Sequence, residues 1–391
     1  LYELGNTYVN QNQNEKGITT YDRLINGYKS SSYVAKAILK QGLIYYNSNK
    51  EDLALTKFKK VVAEYQNSPE SIEAVSTARL IYVDKGQVDE YAAWVKTLSF
   101  VEVSDADLDN DTYESAEKQY LQNNTKQAIS GFSSYVSKFP NGIHALKANF
   151  YLAQLYFADN LEANSVKHYE FVVAKPRNEF TEQALARLCQ VHLKAKNYDS
   201  AIPVLKRLET EADFPQNITY AQSNLMKSYY EKQDFVNAVV YADKVLKNDK
   251  IDDRIKSDAQ IIVARSAIKT NDEAKAKEAY AKLQKIAKGE LAAEALYYDA
   301  YFKNKEGKFE SSNVVVQKIA QDYSGYKYYG AKSLVIMAKN FYGLKDSFQA
   351  TYILESVIEN FKEYTDVIEE AQKELDFIKG EEAKRNSSIT N

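Results

Sequence analysis

The sequence has 391 residues, of which 45% are hydrophobic and 27% are charged, as in an ordinary folded protein. Lys and Arg total 51 and Asp and Glu total 54, with both signs interspersed, which excludes the basic stripe of a nucleic-acid-binding protein. With 13 Gly, 5 Pro and no apolar run near the ~20 residues of a membrane span, the chain favours long helices without a transmembrane segment.

The beginning of the chain already reads as the interior of a helix. It opens on LYELGNTYVNQ, without an initial Met and without the pattern of a signal peptide. We therefore expect a fragment of a longer protein, whose first structural unit is truncated and whose targeting segment, if present, lies upstream. The single cysteine, Cys189, excludes an internal disulfide framework but does not fix the compartment.

Residues 41–69, QGLIYYNSNKEDLALTKFKKVVAEYQNSP, contain two apolar stripes separated by a polar turn. Gly42 and Tyr45 belong to the first stripe, and Ala54 and Phe58 belong to the second. Spacings of three and four residues place side chains on one face of a helix. The segment therefore predicts a helical hairpin.

The features of this hairpin recur along the chain at steps of 36 to 38 residues. Nine of ten anchor positions carry Ala, Gly or Ser: Gly17, Ala54, Tyr91, Ala128, Ser165, Ala201, Ala238, Ala276, Ser312 and Ala350. Twelve residues earlier, eight of ten crossing positions are small: Gly5, Gly42, Arg79, Ala116, Ala153, Cys189, Met226, Ala264, Ala300 and Ala338. Four residues after the anchors, the ring positions are all apolar or aromatic: Tyr21, Phe58, Val95, Phe132, Tyr169, Leu205, Ala242, Tyr280, Val316 and Leu354. Such a period predicts stacked hairpins.

This pattern resembles the tetratricopeptide repeat family, which pairs a small residue and a Tyr in its first helix with a small residue and an aromatic ring in its second. The residues Gly42, Tyr45, Ala54 and Phe58 match that pattern, and the resemblance covers essentially the whole chain. It implies an all-α, right-handed superhelical solenoid of about ten helix-turn-helix repeats plus a C-terminal capping helix.

A narrower resemblance concerns the stretch SSYVSKFPNGIHALKANFYLAQLYF. It resembles the bacterial subgroup found in envelope-assembly lipoproteins and Tol-Pal-associated periplasmic proteins. This resemblance implies a periplasmic or outer-membrane-associated location.

The pattern weakens at one place, which predicts an internal division. Arg79 stands at a crossing position and Tyr91 at an anchor, and the Asp-rich segment VEVSDADLDNDTYESAEKQ follows. We expect a bend there, between repeats 1–3 at residues 1–102 and repeats 4–10 at residues 103–363. The apolar stripe of the capping helix, residues 364–384, consists of Val367, Ile368, Ala371, Leu375 and Ile378, and residues 385–391 are expected to form a frayed tail.

Catalytic chemistry has few candidates in this sequence. Cys189 and His192 lie three residues apart, as a nucleophile and its base would on one helix, but both occupy packing positions of their repeat. His144 and His168 lack metal-ligand spacing, and no metal, phosphate-loop or dinucleotide motif is present. We therefore expect no enzyme activity, no metal and no cofactor.

The stretch Asp105–Asp111 resembles the start of a calcium loop through Asp105, Asp107 and Asp109. That loop requires Gly at its sixth position and Glu at its twelfth, where this sequence has Asn110 and Ala116. Helix capping by Asp is the favoured interpretation, and ion binding stays open as the alternative.

The family resemblance implies that the first helix of each hairpin lines an inner, concave surface. Transferred by register, this surface comprises ten rings and three cations: Tyr46, Tyr113, Tyr120, Phe150, Phe157, Tyr220, Tyr230, Tyr297, Tyr301, Tyr342, Lys227, Arg265 and Lys339. We expect the rings to form an amphipathic groove for a peptide and the cations to pair with its acidic groups. The alternative is that the rings only fill gaps between helices.

The Lys/Asn carboxylate clamp of chaperone-binding family members is not found, because the equivalent pairs are Tyr2/Asn6, Leu39/Leu43 and Ser76/Leu80. The sequence as a whole favours a non-enzymatic scaffold that binds partner proteins, and the narrower resemblance implies that it acts within a bacterial cell-envelope complex. Two alternatives stay open. One is the regulatory or substrate-recruiting array of a larger protein whose catalytic domain lies outside this chain, and the other is an inert structural spacer.

Overall fold

The computed structural model describes residues 1–389, with side-chain surroundings for residues 1–385. Within the described residues, all regular secondary structure is helical. The helices are α1 (Tyr2–Asn10), α2 (Asn14–Gly27), α3 (Val34–Asn47), α4 (Glu51–Glu64), α5 (Pro69–Asp84), α6 (Val88–Val95), α7 (Asp105–Leu121), α8 (Thr125–Lys138), α9 (Ala145–Ala158), α10 (Glu162–Val173), α11 (Thr181–Lys194), α12 (Tyr198–Glu211), α13 (Pro215–Glu231), α14 (Phe235–Leu246), α15 (Asp253–Lys269), α16 (Glu273–Leu283), α17 (Glu290–Lys305), α18 (Phe309–Asp322), α19 (Lys327–Gly343), α20 (Ser347–Asn360) and α21 (Thr365–Ile389).

In chain order the helices form ten helix-turn-helix repeats, each with a first and a second helix, followed by α21. The predicted all-α repeat architecture is therefore confirmed. Contacts divide the chain into two compact units, Leu1–Val191 and His192–Asn391, and the division falls inside α11. The predicted division between residues 102 and 103 falls in the loop between α6 and α7 and remains a prediction.

The last helix covers the end of the array as predicted. Val367, Ala371, Leu375 and Ile378 of α21 are buried in one apolar cluster with residues of α19 and α20. The remainder of α21 carries charged side chains, which suits a face turned to water. The expected tail at residues 385–391 differs from the structure, because α21 continues to Ile389; residues 390 and 391 lie outside the described part.

The repeating positions account for the core. All ten anchors and all ten ring positions are buried, and so is every crossing position except Arg79. A methyl group added at Gly42 would lie 2.5 Å from the ring of Phe58 in the same hairpin. Crossing residues are small because the two helices of a hairpin leave no further space beneath that ring.

The turn inside every repeat has one residue in the left-handed region, five positions before the anchor. The φ values run from 53° to 72° at Asn12, Asn49, Gly86, Asn123, Asn160, Lys196, Gln233, Asn271, Gly307 and Lys345. Seven of these ten residues are Asn or Gly, which adopt this conformation most readily. The turn chemistry is thus as periodic as the core.

Replacing Gln233 by Gly should stabilise the protein by about 0.5–1 kcal/mol, because Gly removes the strain of a Cβ atom at positive φ. The measurement is chemical unfolding of the purified chain. Gln317→Gly is the matched control, since Gln317 is exposed inside α18 and Gly there should cost about 1 kcal/mol. A loss of stability at both positions would contradict the strain at Gln233.

First helices pack against the first helices of neighbouring repeats. Within the first unit α3 contacts α5 and α5 contacts α7, and within the second unit α13 contacts α15, α17 contacts α19 and α19 contacts α21. Successive second helices make no contact of similar extent in the part of the chain that the structure describes. Side chains on first helices therefore meet their counterparts from the next repeat.

Candidate functional site

All thirteen residues predicted for the partner-binding surface lie on first helices, but they fall into distinct register positions. Five rings lie four residues after a crossing position and are half-buried: Tyr46, Tyr120, Phe157, Tyr230 and Tyr342. Tyr301 lies one residue after a crossing position and is also half-buried. These six rings keep part of their surface available to a partner.

Three predicted rings are buried and correct the sequence-based interpretation. Tyr113, Phe150 and Tyr297, three residues before their crossing positions, are 2%, 4% and 6% exposed. Tyr113 stacks on His144 with ring centres 4.1 Å apart, and Phe150 stacks on Phe180 at 4.3 Å. Rings with so little exposed area fill the space between helices, so they cannot serve as contact anchors for a peptide.

The three predicted cations all pair with carboxylates of this chain, which also corrects the expectation. Each cation lies one residue after a crossing position; Lys227 and Arg265 pair with the first helix of the next repeat, and Lys339 pairs with α21. The atom pairs are Lys227 Nζ–Asp258 Oδ2 at 2.5 Å, Arg265 Nε–Glu294 Oε1 at 2.9 Å and Lys339 Nζ–Glu370 Oε1 at 2.7 Å. These cations therefore form a ladder of ion pairs along the first helices of the second unit and α21.

The middle ion pair is the most buried of the three. The side chain of Glu294 is 3% exposed, whereas that of Arg265 is 41% exposed. Arg265 donates to both carboxylate oxygens, and the hydroxyl of Tyr280 donates to Oε1 at 2.9 Å. Burial alone would raise the pKa of Glu294, but the hydrogen bonds and charge of Arg265 outweigh it and lower that pKa.

The half-buried rings of the second unit are held edge-on by other rings. The ring centre of Tyr230 lies 5.7 Å from that of Phe235, and Tyr342 lies 6.0 Å from Phe377. Tyr301 lies 6.1 Å from Tyr298 in the same kind of arrangement. Because edge-to-face contacts fix a ring through one side, they leave its remaining exposed surface in a defined orientation.

The half-buried rings of the first unit have other neighbours. Tyr120 stacks on Tyr151 at 4.8 Å, and the guanidinium of Arg187 lies 4.5 Å from the ring centre of Phe157. Tyr46 packs against the apolar cluster of the first three repeats. These contacts agree with the alternative that rings fill gaps between helices.

Tyr220 and Lys227 lie together in a cleft of about 780 Å³ between α13 and α15. The apolar side chain of Ile255 and the guanidinium-bearing Arg254 line the same cleft. The structure thus brings two predicted residues to one concave place, with Lys227 already held by Asp258.

The candidate nucleophile has the environment of a core residue. Cys189 is fully buried, and burial raises the pKa of its thiol to about 12. A thiol in this state forms almost no thiolate at neutral pH and cannot act as a nucleophile. In the described residues, no group of three His, Cys, Asp or Glu side chains is placed to hold a metal ion.

The Asp-rich stretch is helical from its first residue, so it is not a calcium loop. Asp107 forms a capping box with Ser104 at the start of α7. Asp109 accepts a hydrogen bond from the backbone N–H of Ile143 at 3.0 Å, and Asp111 pairs with Arg79. Asp107, Asp109 and Asp111 thus have three different partners, Ser104, Ile143 and Arg79.

His168 is buried, and the protein should lose stability as the pH falls because of it. Its Nδ1–H donates to Asn149 Oδ1 at 2.7 Å, and burial lowers its pKa from 6.5 to about 4. As the pH falls, His168 is protonated in the unfolded chain near pH 6.5 but in the folded protein only near pH 4. The stability that neutral His168 provides is therefore present above pH 6.5 and is lost progressively toward pH 4.

Chemical unfolding at pH 7 and pH 5 should show this effect. The wild type should lose about 1–2 kcal/mol more than His168→Gln over that interval, because glutamine does not titrate. The same pH dependence in both proteins would show that His168 is not the group responsible.

Comparisons with known proteins agree with the repeat architecture. Residues 91–219 match the family described as tetratricopeptide repeat-like domain, and residues 1–31 and 36–68 match the family described as tetratricopeptide repeat. The tetratricopeptide repeat family is thus supported over these residues. No curated protein matches the chain.

Several solved structures are similar in fold. The C-terminal part of a tetratricopeptide repeat-containing protein from Cytophaga hutchinsonii is 14% identical, with 66% of this chain and 99% of that chain covered and a TM-score of 0.32. Yeast Tom70 is 11% identical, with 99% and 96% covered and a TM-score of 0.36. PilW, described as a type IV pilus biogenesis factor, is 16% identical, with 65% and 94% covered and a TM-score of 0.29. Such values support neither a shared partner nor a shared function.

Among the helices of the described residues, none is both long and apolar enough to cross a bilayer.

Proposed function

We propose that this array of tetratricopeptide-type repeats is a non-enzymatic scaffold that binds partner polypeptides through first-helix rings of its second unit. One observation carries the proposal: Tyr230, Tyr301 and Tyr342 are half-buried and held edge-on by neighbouring rings. The candidate nucleophile Cys189 and the Asp109 carboxylate of α7 both have structural surroundings.

Rings held in this way suit a polypeptide ligand for an energetic reason. Tyrosine offers a large contact area and a hydroxyl group, and a ring that is already oriented loses little conformational entropy on binding. The adjacent ion-pair ladder keeps the helices that carry these rings in fixed register. A partner segment would therefore meet a preformed surface.

The test is photocrosslinking in the native cells, with a photoreactive phenylalanine analogue at position 230 or 301. Position 352 is the control, because Tyr352 is 61% exposed on the second helix α20. We expect one polypeptide to be captured from positions 230 and 301 and not from 352. Capture from position 352 alone would show that the partner contacts the second helices. Capture from none of the three positions would favour an inert spacer, and either result would contradict the proposal.

We propose, in addition, that the protein acts in the bacterial cell envelope. This location is supported by the resemblance of residues 133–157 to envelope-assembly and Tol-Pal-associated proteins. Fractionation of the native cells tests it: we expect the protein with periplasmic or outer-membrane material, and its recovery with the cytoplasm would contradict this location.

A further inference from the structure

We propose that the junction between the third and fourth repeats is an ionic hinge, about which residues 1–102 move relative to residues 103–191. Both segments lie in the first unit. The second helix of the third repeat, α6, has 8 residues, whereas the other second helices have 11 to 14. A shorter second helix covers less of the following repeat.

The apolar core is interrupted at this junction. One cluster of buried side chains joins the first three repeats, from Tyr21 to Val95, with partly buried residues as far as Val103. The next cluster in the chain begins at Tyr113. Apolar burial is the main term that resists local opening, so an interface without a continuous core opens at a lower free energy.

Three ion pairs bridge the junction instead. Arg79 Nε lies 2.8 Å from the carboxylate of Asp111, Lys138 Nζ lies 2.6 Å from Asp89 Oδ1, and Lys118 pairs with Asp84. Arg79 is the residue that broke the small-residue pattern at the crossing positions. Its partner Asp111 has a fully buried side chain. Opening the junction would return this carboxylate to water, which offsets part of the cost of breaking the pair.

Two clefts flank one of these ion pairs, Lys138 with Asp89. One of about 420 Å³ is lined by Gly86, Ser115 and Gly131, and one of about 430 Å³ is lined by Ala92 and Leu108. Lys138 and Asp89 lie between the two clefts and line both. The clefts leave space for α6 to approach or leave α7 and α8 without displacing packed side chains, and the loop at residues 96–104 supplies the connection.

Distances between paired nitroxide labels test the hinge. In a Cys189→Ala background, Glu90→Cys with Lys126→Cys spans the junction, and Lys126→Cys with Ala163→Cys is the matched control across the next one. All three labelled residues are exposed. The hinge pair should give a distance distribution about twice as wide as the control pair. Raising NaCl from about 50 mM to about 500 mM should shift its population further, because two of the three ion pairs are partly exposed and are screened by salt.

Replacing the Arg79–Asp111 ion pair by apolar side chains is a second test of the hinge. Arg79→Met with Asp111→Leu should narrow the hinge-pair distribution to the width of the control, because packed side chains replace the ion pair. If this double variant does not fold, the response of the hinge-pair distances to salt, without the Arg79 and Asp111 replacements, still decides whether the junction is an ionic hinge. A hinge pair as narrow as the control and unchanged by salt would overturn the proposal.

Discussion

Replacing Arg265 by Met is expected to lower the free energy of unfolding by about 3–5 kcal/mol at pH 7, because it leaves a buried carboxylate without its counter-charge. Glu294 is 3% exposed, and its remaining donors would be the uncharged hydroxyls of Tyr280 and Tyr329. In a repeat array the damage should remain near the altered interface. Hydrogen exchange should therefore rise first in residues 253–343.

The pH dependence of this variant identifies the cause. In the wild type the pKa of Glu294 is lowered, so its contribution to stability is present at neutral pH and is lost as the pH falls through that pKa. Without Arg265, burial is opposed only by the neutral hydroxyls of Tyr280 and Tyr329, and the pKa of Glu294 should rise. The deficit of Arg265→Met should consequently be smaller at pH 5 than at pH 7.

Lys227→Met is the matched control for that prediction. Lys227 occupies the same register position, but its side chain is 45% exposed and that of its partner Asp258 is 30% exposed. Exposed ion pairs contribute about 0–1 kcal/mol, so this variant should stay close to the wild type. Equal losses from Arg265→Met and Lys227→Met would show that burial of Glu294 is not what makes its ion pair important.

The hairpins and their core could be predicted because packing demands are repeated in every unit. Anchors such as Ala54 and ring positions such as Phe58 are fixed by contacts within one hairpin, and those contacts recur at constant spacing. The left-handed turn position was found only in the structure, although Asn and Gly occupy seven of its ten occurrences. Interactions within one hairpin restrict the residue types at fixed positions, so they can be recognised from the sequence.

The candidate site was less predictable because its side chains are paired between repeats. The partners of Lys227, Arg265 and Lys339 stand 31, 29 and 31 residues later, on a helix whose orientation the sequence alone does not give. Burial of Tyr297 beside half-buried Tyr301 depends in the same way on how one first helix meets the next. Register placed all of these residues on first helices, but packing decided which rings remain exposed.

Loss of the two rings Tyr230 and Tyr301 should have the largest functional effect. Truncating a ring that anchors a partner costs at least about 2 kcal/mol, which corresponds to about thirtyfold in affinity. Both rings are only half-buried, so Tyr230→Ala with Tyr301→Ala should leave helical content and thermal stability near those of the wild type. The control is Phe348→Ala with Tyr352→Ala, which removes two exposed rings from α20.

The central claim is tested most directly by the dissociation constant of the crosslinked partner, measured in parallel for the wild type and the two double variants. We predict at least about thirtyfold weaker binding for Tyr230→Ala with Tyr301→Ala. Binding to Phe348→Ala with Tyr352→Ala should be unchanged. Wild-type affinity in the folded first-helix variant, or a loss confined to the α20 variant, would contradict binding through the first-helix rings.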